Sequence, residues 1–286
     1  MRKLLILSGK GGTGKTTVAS TFIALSGARA WADCDVDAPN LHLVSGAFTE
    51  SSTKDYHDLP KAFIDPELCT ACGICHEVCR FGAIREGEVY RVNPIACEGC
   101  TYCQYVCPEG AITMQKSIAG EIFLHRRGDH VFSTATLKMG SGTTGKLVTA
   151  VKDQIKDAEA PLAILDGSPG IGCPVIASLT GSHLALMVAE PSVSGLSDLK
   201  RVVASARQLD VPVAVVVNKA DINDEQCAAI KAYAADEQIP FLGTIPYDRT
   251  VVTYLNEGQN LAQSESPAAV AIKAIWERTA ALLEAI

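Results

Sequence analysis

The sequence lacks any apolar run long enough to cross a membrane. A spanning helix needs about 20 mostly apolar residues, and no uninterrupted apolar stretch of this 286-residue chain approaches that length. Residues 1–7 combine two basic and four aliphatic side chains, but this run is too short for a secretory signal and leads directly into a glycine-rich loop. We therefore expect a cytoplasmic protein with no membrane span.

Excess positive charge is also absent. The chain has 25 Lys and Arg against 32 Asp and Glu, a formal net charge of -7, which argues against a broad nucleic-acid surface. Residues 267–286 predict a helix whose mixed charges lack the basic pattern of a membrane-surface anchor. Cysteine, by contrast, is abundant. Eleven cysteines in a cytoplasmic chain indicate metal binding rather than disulfide bonds.

A glycine-rich loop near the amino terminus carries the first functional motif. It lies between a predicted buried strand at residues 4–7 and a predicted helix at 18–25, and it matches the pattern G-x-x-x-x-G-K-[ST]. In such a loop backbone N–H groups surround phosphate, the lysine reaches the outer phosphates and the Thr16 hydroxyl can bind Mg²⁺. The predicted nucleotide-binding residues are Gly9, Lys10, Gly11, Gly12, Thr13, Gly14, Lys15, Thr16 and Thr17.

A second acidic group is expected near this loop. Asp166 follows a predicted strand at residues 162–165 and precedes the glycine-rich turn 167–172. We predict that Asp166 holds Mg²⁺ together with Thr16. Gly170 in the turn can offer a backbone N–H to the terminal phosphate and move when that phosphate leaves.

Three further carboxylates follow the second predicted strand, residues 28–35. Asp35 is placed at its end, on the same edge of the sheet as the phosphate loop, and is predicted to position attacking water or Mg²⁺. For Asp33 and Asp37, a role in the site and a role in the turn remain equally open.

Eight of the cysteines form an internal repeat. Residues 69–84 and 97–112 share eight identities over sixteen positions, with each cysteine offset by 28 residues. The spacing is that of a bacterial two-cluster ferredoxin, in which the fourth cysteine of each run binds the other cluster. The predicted ligands are Cys69, Cys72, Cys75 and Cys107 for one [4Fe–4S] cluster, and Cys97, Cys100, Cys103 and Cys79 for the other.

Zinc is the alternative metal, because thiolates bind zinc and iron–sulfur clusters alike. A zinc site would usually show two Cys-x-x-Cys pairs per metal, without the third close cysteine. The spacing therefore favours iron and sulfur.

The remaining chain predicts an α/β fold. Strands are expected at residues 184–189, 211–217 and 241–245, and helices at 195–209, 224–235 and 267–286. This alternation indicates a mostly parallel sheet covered on both faces. We predict a discontinuous P-loop domain of residues 1–59 and 117–286, with a ferredoxin-like α+β module at 60–116. Residues 140–147 almost repeat the phosphate loop, but Leu147 replaces the hydroxyl residue, so we predict a loop leading into a helix from about Thr144.

These motifs together resemble one known family. Lys10, three residues after the predicted strand and five before Lys15, is the extra lysine of the "deviant" phosphate loop of MinD and ParA ATPases, a group related to the nitrogenase iron protein and Mrp-type iron–sulfur carriers. The segments around Asp35, Asp166, Asn218 and Asp248 fall where that group has its switch and base-binding regions. With the cysteine repeat, the chain resembles MinD-superfamily ATPases that contain an inserted ferredoxin domain.

The resemblance implies specific roles. Lys10 would reach the nucleotide of a partner subunit in an ATP-dependent homodimer, Asp35 would position water, and Asp166 would be linked to Mg²⁺. Adenine would be lined by Asn218 and by Pro246, Tyr247 and Asp248. Residues 218–221, Asn-Lys-x-Asp, also occur in guanine-specific proteins, but the family likeness favours ATP. The catalytic residues would be Lys10, Lys15, Asp35 and Asp166.

The expected function is ATP hydrolysis coupled to the cysteine module. The outcome would be electron transfer to a redox partner or cluster delivery during metallocofactor maturation, and the sequence leaves both open. A MinD-like positioning or scaffolding ATPase with structural clusters is the alternative, and a plain ferredoxin with a nucleotide-binding docking platform is a third. Cys173, just after the turn that follows Asp166, would be a packed thiol or, by analogy with the nitrogenase iron protein, a ligand of a bridging cluster.

Overall fold

The computed structural model describes residues 1–142 and 144–286. The chain divides into two compact units. The larger comprises Met1–Thr53, Ile122–Thr136 and Gly145–Ile286, and the smaller comprises Lys54–Glu121 and Leu137–Thr144. The smaller unit carries all eight repeat cysteines. Among the described residues, no helix combines the length and the apolarity needed to cross a bilayer.

A nine-stranded sheet forms the frame of the larger unit. Its central strand, β1 (Arg2–Leu7), lies between two parallel neighbours. In spatial order the strands are β13 (Phe241–Ile245), β12 (Val213–Asn218), β11 (Leu184–Ala189), β1, β10 (Leu162–Asp166), β2 (Ala30–Asp33), β9 (His130–Leu137), β8 (Ile118–Arg127) and β3 (Glu50–His57). From β13 through β9, neighbouring strands pair in parallel. The mostly parallel α/β sheet predicted from the sequence is confirmed.

Both faces of this sheet are buried. Alternate residues of a strand point to opposite faces. Leu4 and Ile6 of β1 belong to one core cluster with Phe22 and Ile272, while Leu5 and Leu7 are fully buried outside that cluster. Burial on both sides explains why the central strands read as continuous aliphatic runs rather than alternating patterns.

Helices supply the covering layers. Helices α1 and α9 pack together beside the sheet, and α5, α6 and α7 form a second contacting group. The helices of the larger unit are α1 (Lys15–Ser26), α4 (Thr144–Asp153), α5 (Cys173–Leu179), α6 (Val193–Gln208), α7 (Asp224–Asp236), α8 (Thr250–Asn256) and α9 (Pro267–Ala285). Helix α4 begins at Thr144, as its sequence indicated, whereas Thr143 of the predicted 140–147 loop lies outside the described residues.

The predicted bounds of the second strand, residues 28–35, were wrong, and three strands of the large sheet were not predicted. Strand β2 ends at Asp33 rather than at residue 35, because the chain turns where the Asp33 carboxylate accepts the Asp35 N–H. Strands β3, β8 and β9 extend the sheet at one edge. Strand β3 is polar and exposed, whereas in β8 and β9 charged or hydroxyl residues interrupt the apolar residues, so none of the three has the uninterrupted aliphatic run of the inner strands.

The smaller unit contains two copies of the same set of elements. Short helices α2 (Ile74–Glu77) and α3 (Tyr102–Val106) occupy equivalent repeat positions, and two antiparallel pairs accompany them. The strands of these pairs are β4 (Lys61–Ile64) with β7 (Ile112–Gln115), and β5 (Ile84–Arg85) with β6 (Arg91–Val92). Its small core is formed largely by the cysteines themselves with Ile64, Ile84, Tyr90 and Ile112.

Candidate functional site

The phosphate loop lies where the sequence placed it, between β1 and α1. The Gly14 backbone is left-handed, with φ of 92°, and a β-carbon there would collide with the side-chain amide of Asn218. That amide donates to the Thr13 carbonyl at 2.7 Å, so β12 supports the loop directly. Glycine is required at position 14 for both reasons.

Asp166 joins the loop to the neighbouring strand. Its carboxylate is fully buried and accepts from Lys15 Nζ at 2.7 Å and from Thr16 Oγ1 at 2.6 Å. Burial would lower the pKa of Lys15, but the Asp166 charge and hydrogen bond outweigh that effect and raise it. Lys15 is therefore a fixed cation at the floor of the loop, ready to meet a negatively charged phosphate.

Asp33, the last residue of β2, and Asp35, just after it, have different surroundings and therefore different roles. Asp33 is fully buried and accepts three backbone N–H groups, from Asp35, Asn40 and Leu41, each at 3.0 Å. Burial and the nearby Asp166 charge raise the pKa of Asp33 to about 7. Asp33 thus shapes the turn, while Asp35 lies at the open cleft and burial also raises its pKa. Asp37 is exposed and lies outside the cleft lining.

An open cleft of about 350 Å³ runs along the loop. Ligand sites for small molecules typically measure about 300–1,000 Å³. Its lining brings together Asp35 and loop residues from Gly11 to Thr17, with an apolar wall of Leu43, Val44 and Leu255 that the sequence analysis did not identify. Leu255 lies over 200 positions from Leu43 and Val44 in the chain, so no local pattern could have grouped the three side chains.

The predicted adenine residues do not line this cleft. Both ends of the Asn218 amide are engaged, because its oxygen also accepts from the Lys219 N–H at 2.9 Å. Tyr247 donates its N–H to Asp221 at 2.6 Å. Asp248 accepts from the backbone and hydroxyl of Thr250, and the hydroxyl bond lowers its pKa. In this structure these residues hold loops together around the site.

Gly170 and Lys10 are likewise engaged within the chain. The Gly170 N–H donates to the Ser8 carbonyl at 3.1 Å. Lys10 Nζ lies 2.6 Å from a Glu190 carboxylate oxygen, and Glu190 also pairs with Lys219 at 3.2 Å. The Lys10 hydrogen bond is the main reason that the pKa of Glu190 is lowered.

The oxygen donors near the loop suit Mg²⁺. This cation prefers hard oxygen ligands and usually keeps several waters while sharing one or two protein groups with substrate phosphates. The Thr16 hydroxyl and the Asp166 carboxylate already meet in one place, with Asp35 on the cleft beside the same loop. The donor chemistry therefore fits the predicted cation, which the nucleotide phosphates would complete.

The eight repeat cysteines line two separate cavities in the smaller unit. Cys69, Cys72, Cys75 and Cys107 line one, and Cys79, Cys97, Cys100 and Cys103 line the other. All eight are free thiols. The two cavities are small, about 20 and 30 Å³, which is room for roughly one or two waters each, and both open to solvent.

Backbone hydrogen bonds explain why the fourth cysteine of each run joins the other group. The Asp65 N–H donates to the Ala111 carbonyl at 2.8 Å, and the Asn93 N–H donates to the Ala83 carbonyl at 2.6 Å. Each bond therefore ties the start of one repeat to the end of the other. Cys107 is carried toward the first run of cysteines, and Cys79 toward the second.

This arrangement does not resemble a site for one metal ion. Within residues 1–142 and 144–286, no three His, Cys, Asp or Glu side chains converge in a way that would hold a single ion. Four thiols spread around a cavity suit a polynuclear cluster, since each thiolate of a [4Fe–4S] cluster binds a different iron. The donor set, four cysteines per cavity, is the set such a cluster uses.

The strand, glycine-rich loop and helix, with Lys15 and Asp166 at the edge of a parallel sheet, define a P-loop nucleotide-binding protein. A family model described as the CobQ/CobB/MinD/ParA nucleotide binding domain matches residues 4–261. The chain belongs to this family. The MinD/ParA membership expected from the deviant loop is thus confirmed.

The chain is also similar to individual proteins. The chain is 32% identical over 280 residues to the uncharacterized protein MJ0578 of Methanocaldococcus jannaschii, covering 96% of this chain and 95% of the relative. It is 29% identical over 129 residues to a cytosolic Fe-S cluster assembly factor NUBP2 homolog of Trichoplax adhaerens, covering 39% of this chain and 49% of that protein.

Solved structures show the same fold. The septum site-determining protein MinD of Pyrococcus horikoshii, complexed with Mg-ADP, superposes with a TM-score of 0.60 at 19% identity, covering 98% of this chain and 96% of that one. The cell division ATPase MinD of Pyrococcus furiosus superposes with a TM-score of 0.58 at 20% identity, covering 98% of this chain and 99% of that one.

Proposed function

We propose that this protein is a Mg²⁺-dependent ATPase that carries two [4Fe–4S] clusters and couples its nucleotide state to them. The observation that carries the proposal is the division of the eight repeat cysteines into two four-thiol cavities, in a chain that also has a complete phosphate loop. Clusters bound there would accept and release single electrons. Cys69, Cys72, Cys75 and Cys107 would hold one, and Cys79, Cys97, Cys100 and Cys103 the other.

The residues of the loop would bind and orient ATP. Backbone N–H groups from Gly11 to Thr17 would surround the phosphates, and Lys15 would neutralise their charge. Thr16 and Asp166 would hold Mg²⁺ with the phosphates, which requires the direct Thr16–Asp166 hydrogen bond to open. Asp35 would orient the attacking water from the turn that Asp33 fixes.

Lys10 would act between two subunits. The family likeness implies that it reaches the partner's nucleotide in a homodimer, which requires it to leave Glu190. Gly170 would exchange the Ser8 carbonyl for a phosphate oxygen when ATP is present. Both changes would alter the loop 167–172 together with the dimer interface, and thereby make the protein's shape depend on its nucleotide.

Electron delivery and cluster delivery both fit this chemistry. The partial likeness to an iron–sulfur assembly factor supports the second. A positioning ATPase with structural clusters is supported by the fold it shares with MinD. It would use its nucleotide cycle on a surface or polymer and would be indifferent to the state of the cysteines.

The decisive experiment uses the reconstituted iron–sulfur protein, reduced beforehand with dithionite that is then removed, with an oxidised electron acceptor or an apo-ferredoxin as probes. We expect ATP with Mg²⁺ to change the rate of acceptor reduction or of cluster transfer, and Lys10→Ala to remove that change. Transfer that depletes the donor's iron would indicate delivery, and reduction at constant iron content would indicate electron transfer. Equal rates with and without ATP would exclude the coupling.

Hydrolysis itself needs a separate measurement. Steady-state phosphate release should be lost in Lys15→Ala and in Asp166→Ala, whereas Lys146→Ala, an exposed lysine on α4, should retain it. If the wild-type protein has intact clusters but releases no phosphate, the alternative of a plain ferredoxin, whose nucleotide domain serves only for docking, would be favoured.

A further inference from the structure

A buried lysine outside the nucleotide site holds the end of a short helix. Lys152, on α4, is only 7% exposed. Its Nζ donates to the carbonyls of Ala177, Ser178 and Thr180 at 2.7, 2.8 and 2.7 Å. These carbonyls lie at the carboxyl end of α5.

The contact satisfies groups on both sides. The last carbonyls of a helix have no partner within the helix, and its carboxyl end carries partial negative charge. A buried ammonium has three donors and needs three acceptors. Lys152 supplies those donors to the end of α5. Separating the two helices would leave the cation and the carbonyls of Ala177 and Thr180 without these bonds, while the Ser178 carbonyl would keep its bond from the Ser182 hydroxyl.

The opposite end of α5 also lies against α4. A β-carbon added to Gly145, in the first turn of α4, would lie 3.2 Å from the Cys173 carbonyl oxygen and 3.3 Å from its β-carbon. Cys173 is the first residue of α5. Helix α4 therefore contacts α5 at both of its ends, closely enough at one end that only glycine fits without displacement.

Helix α5 continues directly from the nucleotide site. The loop 167–172 connects Asp166 to α5, and its Ser168 hydroxyl donates to the Cys34 carbonyl, between Asp33 and Asp35. Helix α4, in turn, continues directly from the segment Leu137–Thr144, which belongs to the cysteine-bearing unit. Along the chain, α5 therefore follows the nucleotide site, and α4 follows the cysteine-bearing unit.

We propose that Lys152 is a positioning residue that makes α4 and α5 move together, so that a nucleotide-driven change in the loop 167–172 reaches α4. This inference rests on the proposed function, because it supplies the route by which ATP would affect the cysteine unit. Coupling of this kind requires one packed element that both sites displace. The pair α4 and α5, joined at Lys152, is that element.

The test compares three variants of the reconstituted full-length protein. Lys152→Met keeps the length and apolar stem but removes the donors, Lys152→Gln keeps two of them, and Lys146→Met changes an exposed lysine of the same helix. Amide hydrogen exchange of α4 and of peptides covering residues 167–179 is measured with and without a non-hydrolysable ATP analogue. Analogue affinity and steady-state kcat are measured in parallel.

In the wild type and in Lys146→Met, the analogue should change exchange in both regions. In Lys152→Met we expect the exchange response at residues 167–179 to persist and that of α4 to be lost. The affinity for the analogue should stay within about twofold of the wild type. The kcat should fall about tenfold, which corresponds to roughly 1.4 kcal/mol of activation free energy. Lys152→Gln should recover part of the α4 exchange response and part of the kcat. If the Met variant does not fold, the Gln variant tests the proposal.

Several results would overturn the proposal. One is an α4 response that survives in Lys152→Met or, if that variant does not fold, is as large in Lys152→Gln as in the wild type. Another is a loss of affinity and kcat that merely follows the fraction of unfolded protein. A wild type that binds the analogue but does not hydrolyse ATP would refute the proposed function instead, and the exchange data would still decide the role of Lys152.

Discussion

Lys10 and Glu190 form an ion pair of 2.6 Å within a single chain. Glu190 also pairs with Lys219, whose ammonium donates to the Gly12 carbonyl at 3.0 Å. One carboxylate at the end of β11 therefore holds both the distinctive lysine of the phosphate loop and a second cation attached to that loop. For Lys10 to reach a partner subunit, as the family likeness implies, this pair must first break.

We predict that Glu190→Gln strengthens ATP-dependent dimerisation. The partners are 35% and 23% exposed, and such pairs typically contribute up to about 1 kcal/mol. Releasing Lys10 should raise the dimerisation constant by up to about fivefold, as measured by sedimentation velocity with an ATP analogue. Glu277→Gln, an exposed acid on α9, should leave it unchanged. A weaker dimer in Glu190→Gln would show that Glu190 supports the active state instead.

The buried pair of Lys15 and Asp166 should show strong coupling in a double-mutant cycle. Removing one partner leaves a charge buried without compensation, which costs about 3–5 kcal/mol. Lys15→Met and Asp166→Asn should each lower the free energy of unfolding of the nucleotide-free protein in urea, and the double variant should lose clearly less than their sum. Arg207→Met, which breaks an exposed pair with Glu237, should cost under about 1 kcal/mol. Additive losses would contradict the coupling.

Two glycines of the phosphate loop should respond differently to alanine. At Gly14 a β-carbon would strike the Asn218 amide and the backbone is left-handed, so Gly14→Ala should displace the loop and weaken ATP binding by at least about tenfold. At Gly11 no atom lies within 4 Å of an added β-carbon. Gly11→Ala should bind a fluorescent ATP analogue within about threefold of the wild type. Similar losses in both variants would show that the close approach of Asn218 is not the cause.

Iron content should reveal the crossed grouping of the cysteines. In reconstituted protein, Cys107→Ser should lose about half of the iron, because it removes one ligand of one four-cysteine site. Adding Cys69→Ser, from the same cavity, should remove little more, whereas adding Cys103→Ser should remove nearly all. Cys227→Ser, a buried cysteine outside the repeat, is the control. If clusters formed along the sequence instead, the Cys103 and Cys107 double variant would keep half.

Stability should depend on alkaline pH through Lys152. Burial lowers the pKa of Lys152 from 10.5 to about 8. Between these values the unfolded chain binds a proton that the folded protein does not, so the free energy of unfolding should rise with pH, by at most about 3 kcal/mol. Urea unfolding at pH 7.5 and pH 10 should show this rise in the wild type but not in Lys152→Met. Equal pH dependence in both would exclude Lys152 as its source.

Local patterns were sufficient for the central elements. Strands β11 and β13 were predicted with their observed ends, and α7 and α9 to within one residue of each end. A strand that is buried on both faces can be recognised as an uninterrupted aliphatic run. A strand-loop-helix motif can be recognised because its residues are contiguous in the chain. Strand β3 was missed because pairing at a solvated edge needs no apolar signature, and β8 and β9 were missed because charged or hydroxyl residues interrupt their apolar runs. The domain bounds and most site assignments remain predictions.

The sequence by itself determined the phosphate loop, the family likeness and the repeat spacing of the cysteines, because each is written in residues close together in the chain. Only the tertiary structure decided which groups meet. It placed Asp166 against Lys15 and Thr16, assigned Asp33 to the turn, and brought Glu190 to Lys10 and the end of α5 to Lys152. Apart from those of the Asp33 turn, these partners lie far apart in sequence, and their meeting depends on strand order and helix packing, which no local pattern encodes.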